Sequence, residues 1–146
     1  MTIFKISKNG AADEEVAELL KKTKTIAVVG LSHKEHRASH RVAKYLMENG
    51  YQVIPVNPKY REVLGQPCYQ NLKSVPGHID MVDIFRNIEA IPAIVEDAIS
   101  VGAGSVWMQL GLIHEQAAEK ARSNGLQVVM DKCTKIEHQR LIAKQT

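Results

Sequence analysis

The sequence predicts an α/β fold: a doubly wound parallel sheet of five strands in three α/β/α layers, with a further helix at the amino-terminal side. Two observations carry that expectation. Short continuous apolar runs rich in Val and Ile alternate with amphipathic stretches of helical spacing, and the links between them are short. Strand, helix and strand repeated in this way build a parallel sheet with right-handed crossovers and helices on both faces, the Rossmann-like plan.

Five runs supply the strands: Thr25 to Gly30 (TIAVVG), Tyr51 to Val56 (YQVIPV), Ile79 to Phe85 (IDMVDIF), Ser105 to Leu110 (SVWMQL) and Leu126 to Met130 (LQVVM). Trp107, on a strand covered on both faces, reads as core. Helical spacing follows in Ser39 to Asn49, Ile91 to Val101 and His114 to Ser123, with Gly50, Gly102 and Gly125 at the expected helix ends. A leading helix over about residues 10–23 has acids in its first turn and lysines in its last, as the helix dipole favours.

The stretch Pro58 to Pro76 has no strong period and reads as loop with at most a helical turn, in place of a crossover helix. Thr134 to Lys144 spaces Ile136, Leu141 and Ile142 as a final helix. The expected strand order, with the runs numbered along the chain, is 3-2-1-4-5. A ligand then lies outside the carboxyl ends of the strands, where the winding reverses. That directs attention to Gly30, Asn57, Arg86, Gln109 and the segment after Met130.

Composition narrows the function classes. At 146 residues, the chain is long enough to bury one good core, about 70% of its unfolded surface, so one domain over residues 1–146 is expected, its core over about 25–138. With 45% hydrophobic and 24% charged residues it is an ordinary globular composition, not a disordered one. No apolar run suits a signal peptide or a membrane span, so a cytoplasmic protein is expected. Cys68 and Cys133 form no CxxC and are expected as reduced thiols. The net charge of +3 is scattered among acids without a basic stripe or aromatic platform. Nucleic acid is therefore not the expected partner, and a small anionic ligand explains the surplus.

The first strand runs straight into Gly30-Leu31-Ser32 and on through Arg37 to Ser39 before the next helix. Gly30 permits a tight turn, as the first glycine of GxGxxG does, but Ser32 and Glu35 stand where the other glycines would be. The loop must then use side chains as well as amides. Ser32 and Ser39 offer hydroxyls, Arg37 a guanidinium suited to bidentate phosphate contact, and the helix start a partial positive charge. His33, His36 and His40 lack a carboxylate or thiol in a ligand pattern, so no metal is expected. GLSHK lacks the second glycine of a GxSxG nucleophile elbow.

Dinucleotide dehydrogenases end the second strand in an acid that holds the ribose hydroxyls. This chain has Asn57-Pro58-Lys59 there, with Arg61 beyond. An amide followed by cations suits a phosphorylated ribose, which points to coenzyme A or NADP and away from NAD. Gln109, leaving the fourth strand, is a candidate for a ligand amide or pyrophosphate.

The segments VVGLS (Val28 to Ser32), RASHRVAKYL (Arg37 to Leu46), VIPVNP (Val53 to Pro58), VDIFR (Val82 to Arg86), VWMQLG (Val106 to Gly111) and VVMDKCTKIEH (Val128 to His138) resemble the small stand-alone CoA-binding proteins. Their domain is similar to the amino-terminal domain of the succinyl-CoA synthetase α subunit. The resemblance implies a CoA pyrophosphate at Gly30, Leu31, Ser32, Arg37 and Ser39. It places the adenosine end between Asn57, Pro58 and Lys59 and the strand end Ile84, Phe85 and Arg86. The synthetase's second domain, with its phosphorylated histidine, has no counterpart here, so ligase activity does not follow.

The expected function is a non-catalytic or accessory protein that binds coenzyme A or an acyl-CoA. The alternative is an NADP-binding protein with an oxidoreductase or redox-sensing role. No Ser-His-Asp arrangement, metal set or carboxylate pair stands out, although a homodimer could complete a site. Cys133, near Lys132 and His138, is the one thiolate candidate, and a buried inert thiol is the plainer reading. Glu137 and His138 read as helix-end polar residues.

Overall fold

The computed structural model describes residues 12–145. Residues 10–11 of the expected leading helix, and the part of the signal-peptide reading that falls on residues 1–11, lie outside them. Helix α1 (Asp13–Lys22) buries Val16, Leu19 and Leu20 along one stripe and opens on Asp13, Glu14 and Glu15. Then come β1 (Thr25–Val29), α2 (Ala38–Glu48) and β2 (Gln52–Val56). The aperiodic stretch after β2 folds into a small antiparallel pair, β3 (Glu62–Val63) with β4 (Gln66–Pro67), and a 3-10 turn at Leu72–Ser74. The chain continues through β5 (Met81–Ile84), a 3-10 turn at Ile88–Ala90, α3 (Ile91–Ser100), β6 (Ser105–Met108), α4 (Glu115–Ser123), β7 (Gln127–Val129) and α5 (Thr134–Leu141). Expected and observed elements agree to within a residue or two at most ends.

All five long strands pair in parallel, in the order β2-β1-β5-β6-β7. In run numbers this is 2-1-3-4-5 and corrects the expected 3-2-1-4-5. The reason lies at the outer edge of β2. Pro55 has no N–H to give a further strand. Beside it the Tyr69 N–H donates to the Pro55 carbonyl at 3.0 Å and the Asn57 N–H to that of Tyr69 at 2.8 Å. With that edge occupied, the third long strand returns past β1 and docks on its other side. The reversal point therefore falls between β1 and β5.

Alternation along the strands divides the core in two. Ala27, Val29, Val82, Ile84, Val106 and Met108 face α3, α4 and the Leu72 turn. Ile26, Val28, Met81 and Trp107 face α1, α2 and α5. Trp107 is fully buried, as expected, and its indole N–H donates to the Lys132 carbonyl at 2.8 Å. Among the described residues, no helix is long and apolar enough to cross a membrane.

Candidate functional site

At the carboxyl ends of β1, β2 and β5 lies a cleft of about 530 Å³. It is lined by Gly30, Ser32, Lys34, Arg37, Ala38, Ser39, Asn57 to Tyr60, Phe85 and Arg86. Four of these are cations, Lys34, Arg37, Lys59 and Arg86, and none is a carboxylate. Ala38 and Ser39 open α2, where the first amides have no intrahelical acceptor and the helix dipole adds partial positive charge. An anion entering here would meet charge, hydroxyls and free-ended amides together.

The loop that shapes this cleft is held by its own polar groups. The Ser32 N–H donates to Ser39 Oγ at 3.0 Å, and the Lys34 N–H to Ser32 Oγ at 3.1 Å. Both hydroxyls keep a proton to donate. His40, which is buried, sets its Nδ1 2.9 Å from the Ser32 carbonyl, so this histidine is a brace of the loop. Ser39 is not the helix cap, a position taken by the Arg37 backbone; its hydroxyl ties helix to loop.

Asn57 stands where an acid would hold a ribose, yet its side chain is committed elsewhere. Its Nδ2 donates to the Leu31 carbonyl at 3.1 Å, and its Oδ1 accepts the Lys59 N–H at 3.0 Å. It joins the end of β2 to the loop after β1 and turns the chain so that Lys59 and Tyr60 reach the cleft. Gly30 has a related surprise. A Cβ there would lie 2.3 Å from the Phe85 carbonyl oxygen, and its φ of +90° disfavours any side chain. Its N–H donates to the Val56 carbonyl at 2.8 Å. The missing side chain thus admits the end of β5 beside Gly30 at the floor of the cleft.

Of the expected site residues, Gly30, Ser32, Arg37, Ser39, Asn57, Pro58, Lys59, Phe85 and Arg86 share this cleft. Leu31 and Ile84 are fully buried core side chains, and Leu31 contributes its carbonyl to Asn57. Gln109 is not at the cleft either. Its Nε2 donates to Asp83 Oδ1 at 2.5 Å and lies 3.1 Å from Thr134 Oγ1, while the Thr134 hydroxyl donates to Asp83 Oδ2 at 3.0 Å. Burial pushes the Asp83 carboxyl up to about 7, against the pull of these two hydrogen bonds.

Three cleft residues were absent from the expected site residues: Lys34, Ala38 and Tyr60. Tyr60 packs edge-on against His33 with ring centroids 4.4 Å apart. The signal for Tyr60 was its place directly after Asn57-Pro58-Lys59, a turn at a strand end. Glu137 and His138 do lie in the first and last turns of the short helix α5, but their side chains are buried. Tyr45 Oη lies 2.7 Å from His138 Nδ1, and burial lowers the histidine's proton affinity. Glu137 pairs with Arg140, which also binds Asp13 of α1. Cys133 is buried and its thiol is pushed up, first by burial. Among the described residues, no cluster of His, Cys, Asp or Glu could hold a metal.

Fold and cleft together define an α/β domain with a cation-lined cleft near the reversal point of its sheet. The chain matches the family model described as CoA binding domain over residues 24–139, and it belongs to that family. It is 41% identical to the uncharacterized protein YneT of Bacillus subtilis, over 85% of this chain and 92% of that one. A solved structure from Pyrococcus horikoshii, described as a hypothetical protein, matches with 42% identity and a TM-score of 0.90, covering 97% of this chain and 99% of that one. The ADP-forming acetate–CoA ligase I of Archaeoglobus fulgidus is 29% identical over 75% of this chain, which spans only 18% of the ligase.

Proposed function

We propose that this protein binds coenzyme A in the cleft at the ends of β1, β2 and β5, as a one-domain carrier or sensor without turnover of its own. The observation that carries the reading is a lining of four cations, two serine hydroxyls and a helix start with no carboxylate. Membership of the CoA-binding domain family supports coenzyme A over NADP, which nothing in the relatives favours. In this reading Arg37, Ser32 and Ser39 take the pyrophosphate beside the start of α2. Lys59 and Arg86, which line the same cleft, serve as partners for the 3′-phosphate end, and Tyr60 supplies a ring there. The likeness to part of a ligase brings no ligase chemistry, because the chain spans less than a fifth of that enzyme.

Calorimetric titration tests the reading directly: CoA should bind more tightly than NADP, and both more tightly than NAD. Losing the charge-assisted contacts of Arg37 should cost about 1.5 to 3 kcal/mol. Arg37→Ala should then weaken CoA and dephospho-CoA alike, by roughly ten- to a hundredfold. Lys59→Ala should weaken CoA more than dephospho-CoA. Tightest binding of NAD, or an Arg37→Ala protein that holds CoA normally, would move the ligand or the site.

A further inference from the structure

Among the described residues, the large hydrophobic side chains left exposed are Ile88, Leu110, Ile113 and Ile136, at 41%, 60%, 38% and 46%. Single exposed aliphatics need no explanation. These four share one address. Ile88 follows β5, Leu110 and Ile113 follow β6, and Ile136 lies in the first turn of α5 just after β7. All stand at the carboxyl edge of three adjacent strands, and the amino edge carries none of them.

We infer that the ligand of this protein is a CoA thioester whose apolar acyl group rests on the platform of Ile88, Leu110, Ile113 and Ile136 beside the phosphate cleft. The inference rests on the CoA reading above and adds to it the class of acyl group. The platform begins where the cleft ends, since Arg86 lines the cleft and Ile88 lies just beyond it on the same connection. With strands about 4.8 Å apart, the edge from β1 to β7 spans roughly 14 Å. A ligand held by its phosphates at β1 can therefore extend along it.

The support beneath the platform is a second, independent observation. Asp83 of β5 is wholly buried with no cation beside it, an arrangement that costs free energy unless its hydrogen bonds are well made. Its two partners are Gln109, the residue before Leu110, and Thr134, which opens the helix carrying Ile136. A second tie joins the same loops: Asp131 Oδ1 accepts the Gly111 N–H at 2.7 Å, and the Asp131 N–H donates to the Leu112 carbonyl at 3.1 Å. Three segments that carry exposed apolar side chains are thus fixed to one another from below, as a binding surface requires. Four half-exposed aliphatics are far fewer than the roughly 20 to 30 residues a side of a stable protein interface. They match the apolar arm of a small molecule.

The test is titration of the whole protein with CoA, acetyl-CoA and octanoyl-CoA by calorimetry. Octanoyl-CoA should bind about tenfold more tightly than CoA, about 1.4 kcal/mol, with acetyl-CoA close to CoA. The double variant Leu110→Ser with Ile113→Ser should lose that gain while keeping CoA affinity within about twofold, since a factor of two is under 0.5 kcal/mol. If the double variant unfolds early in a thermal scan, Ile88→Ser alone makes the same comparison. Equal affinities for CoA and octanoyl-CoA would overturn the platform and leave the CoA reading standing. No binding of any of the three would overturn the CoA reading itself. Sedimentation showing a ligand-free dimer that the double variant splits would assign the patch to a second copy and overturn the acyl proposal.

Discussion

The two ends of the sheet treat their charges in opposite ways. At the amino end, Asp80 accepts hydrogen bonds from the Lys24 and Thr25 N–H groups at 2.9 and 3.0 Å and lies 3.2 Å from His78 Nε2. At the carboxyl end, Lys34, Arg37, Lys59 and Arg86 line a cleft without a carboxylate. A charge answered within the fold is architecture. A group of like charges gathered around a loop whose shape is fixed by other residues is left for something that arrives from outside. The cost of assembling four cations is tolerable at an open cleft because water and salt screen them, and a bound polyanion removes it.

The sharpest way to break this contrast is to spoil the carboxyl end at its geometric root. Gly30→Ala would put a Cβ 2.3 Å from the Phe85 carbonyl oxygen at a φ of +90°. Backbone strain of about 1 to 3 kcal/mol and overpacking of a similar size should together lower stability by roughly 3 to 4 kcal/mol. Ligand affinity should fall with it, because β1 and β5 can no longer meet where the cleft begins. Thermal unfolding and CoA titration check the two effects. A Gly30→Ala protein of ordinary stability that still binds would show that the close approach of β5 is incidental.

That glycine also measures how far the sequence could be read. The alternation of apolar runs with helical spacing was enough for five parallel strands in three layers, and for a loop from Gly30 to Ser39 at the carboxyl edge of the sheet. The strand order was not legible, because it turns on Pro55 and on Tyr69 pairing outside β2, contacts of a stretch with no period of its own. Gly30 was read as room for a ligand, and the neighbour that needs the room, Phe85, comes from a strand far along the chain. Asn57 does line the cleft, but its amide braces Leu31 and Lys59, which only the fold reveals. Asp83 sat unread inside IDMVDIF. An acid in the middle of a buried strand was the available signal, and its partners Gln109 and Thr134 come from other elements.

Asp83 sharpens the comparison from a third direction, as a buried carboxyl answered by neutral donors alone. Its folded value of about 7 lies above the ordinary 3.8, so the folded protein favours the protonated acid. The stabilising contribution is full below 3.8 and is lost as pH rises through about 7. Unfolding free energy should therefore fall between about pH 4 and pH 7 in the native protein and level off above that. Asp83→Asn keeps an acceptor and a donor in place and cannot ionise, so its profile should be flatter and its stability at pH 8 higher by about 1 to 2 kcal/mol. Denaturant titration at several pH values decides it. Parallel profiles for the two proteins would assign the dependence to other groups, His138 among them, whose lowered proton affinity acts with the opposite sign and weakens the fold as pH falls.

The smallest expected effect tests the amino end itself. Burial works against the charge of Asp80, but the Lys24 and Thr25 amides, with His78 and Lys24 nearby, outweigh it and hold the carboxyl below the ordinary 3.8. Its contribution is present above 3.8 and is lost as pH falls further. The carboxyl is partly exposed, so water would replace much of what is removed. Asp80→Ala should then cost about 1 kcal/mol at neutral pH, the size of an ordinary hydrogen-bond loss. Two further results would tie the effect to this end of the sheet. The difference from the native protein should shrink below pH 3.8, where the native carboxyl itself becomes protonated. CoA affinity should stay unchanged within error, because Asp80 holds the start of β1 and the cleft is built at its far end. A loss of affinity equal to that of a cleft substitution would mean that β1 transmits the disturbance along its length, and the division between an architectural end and a binding end would fail.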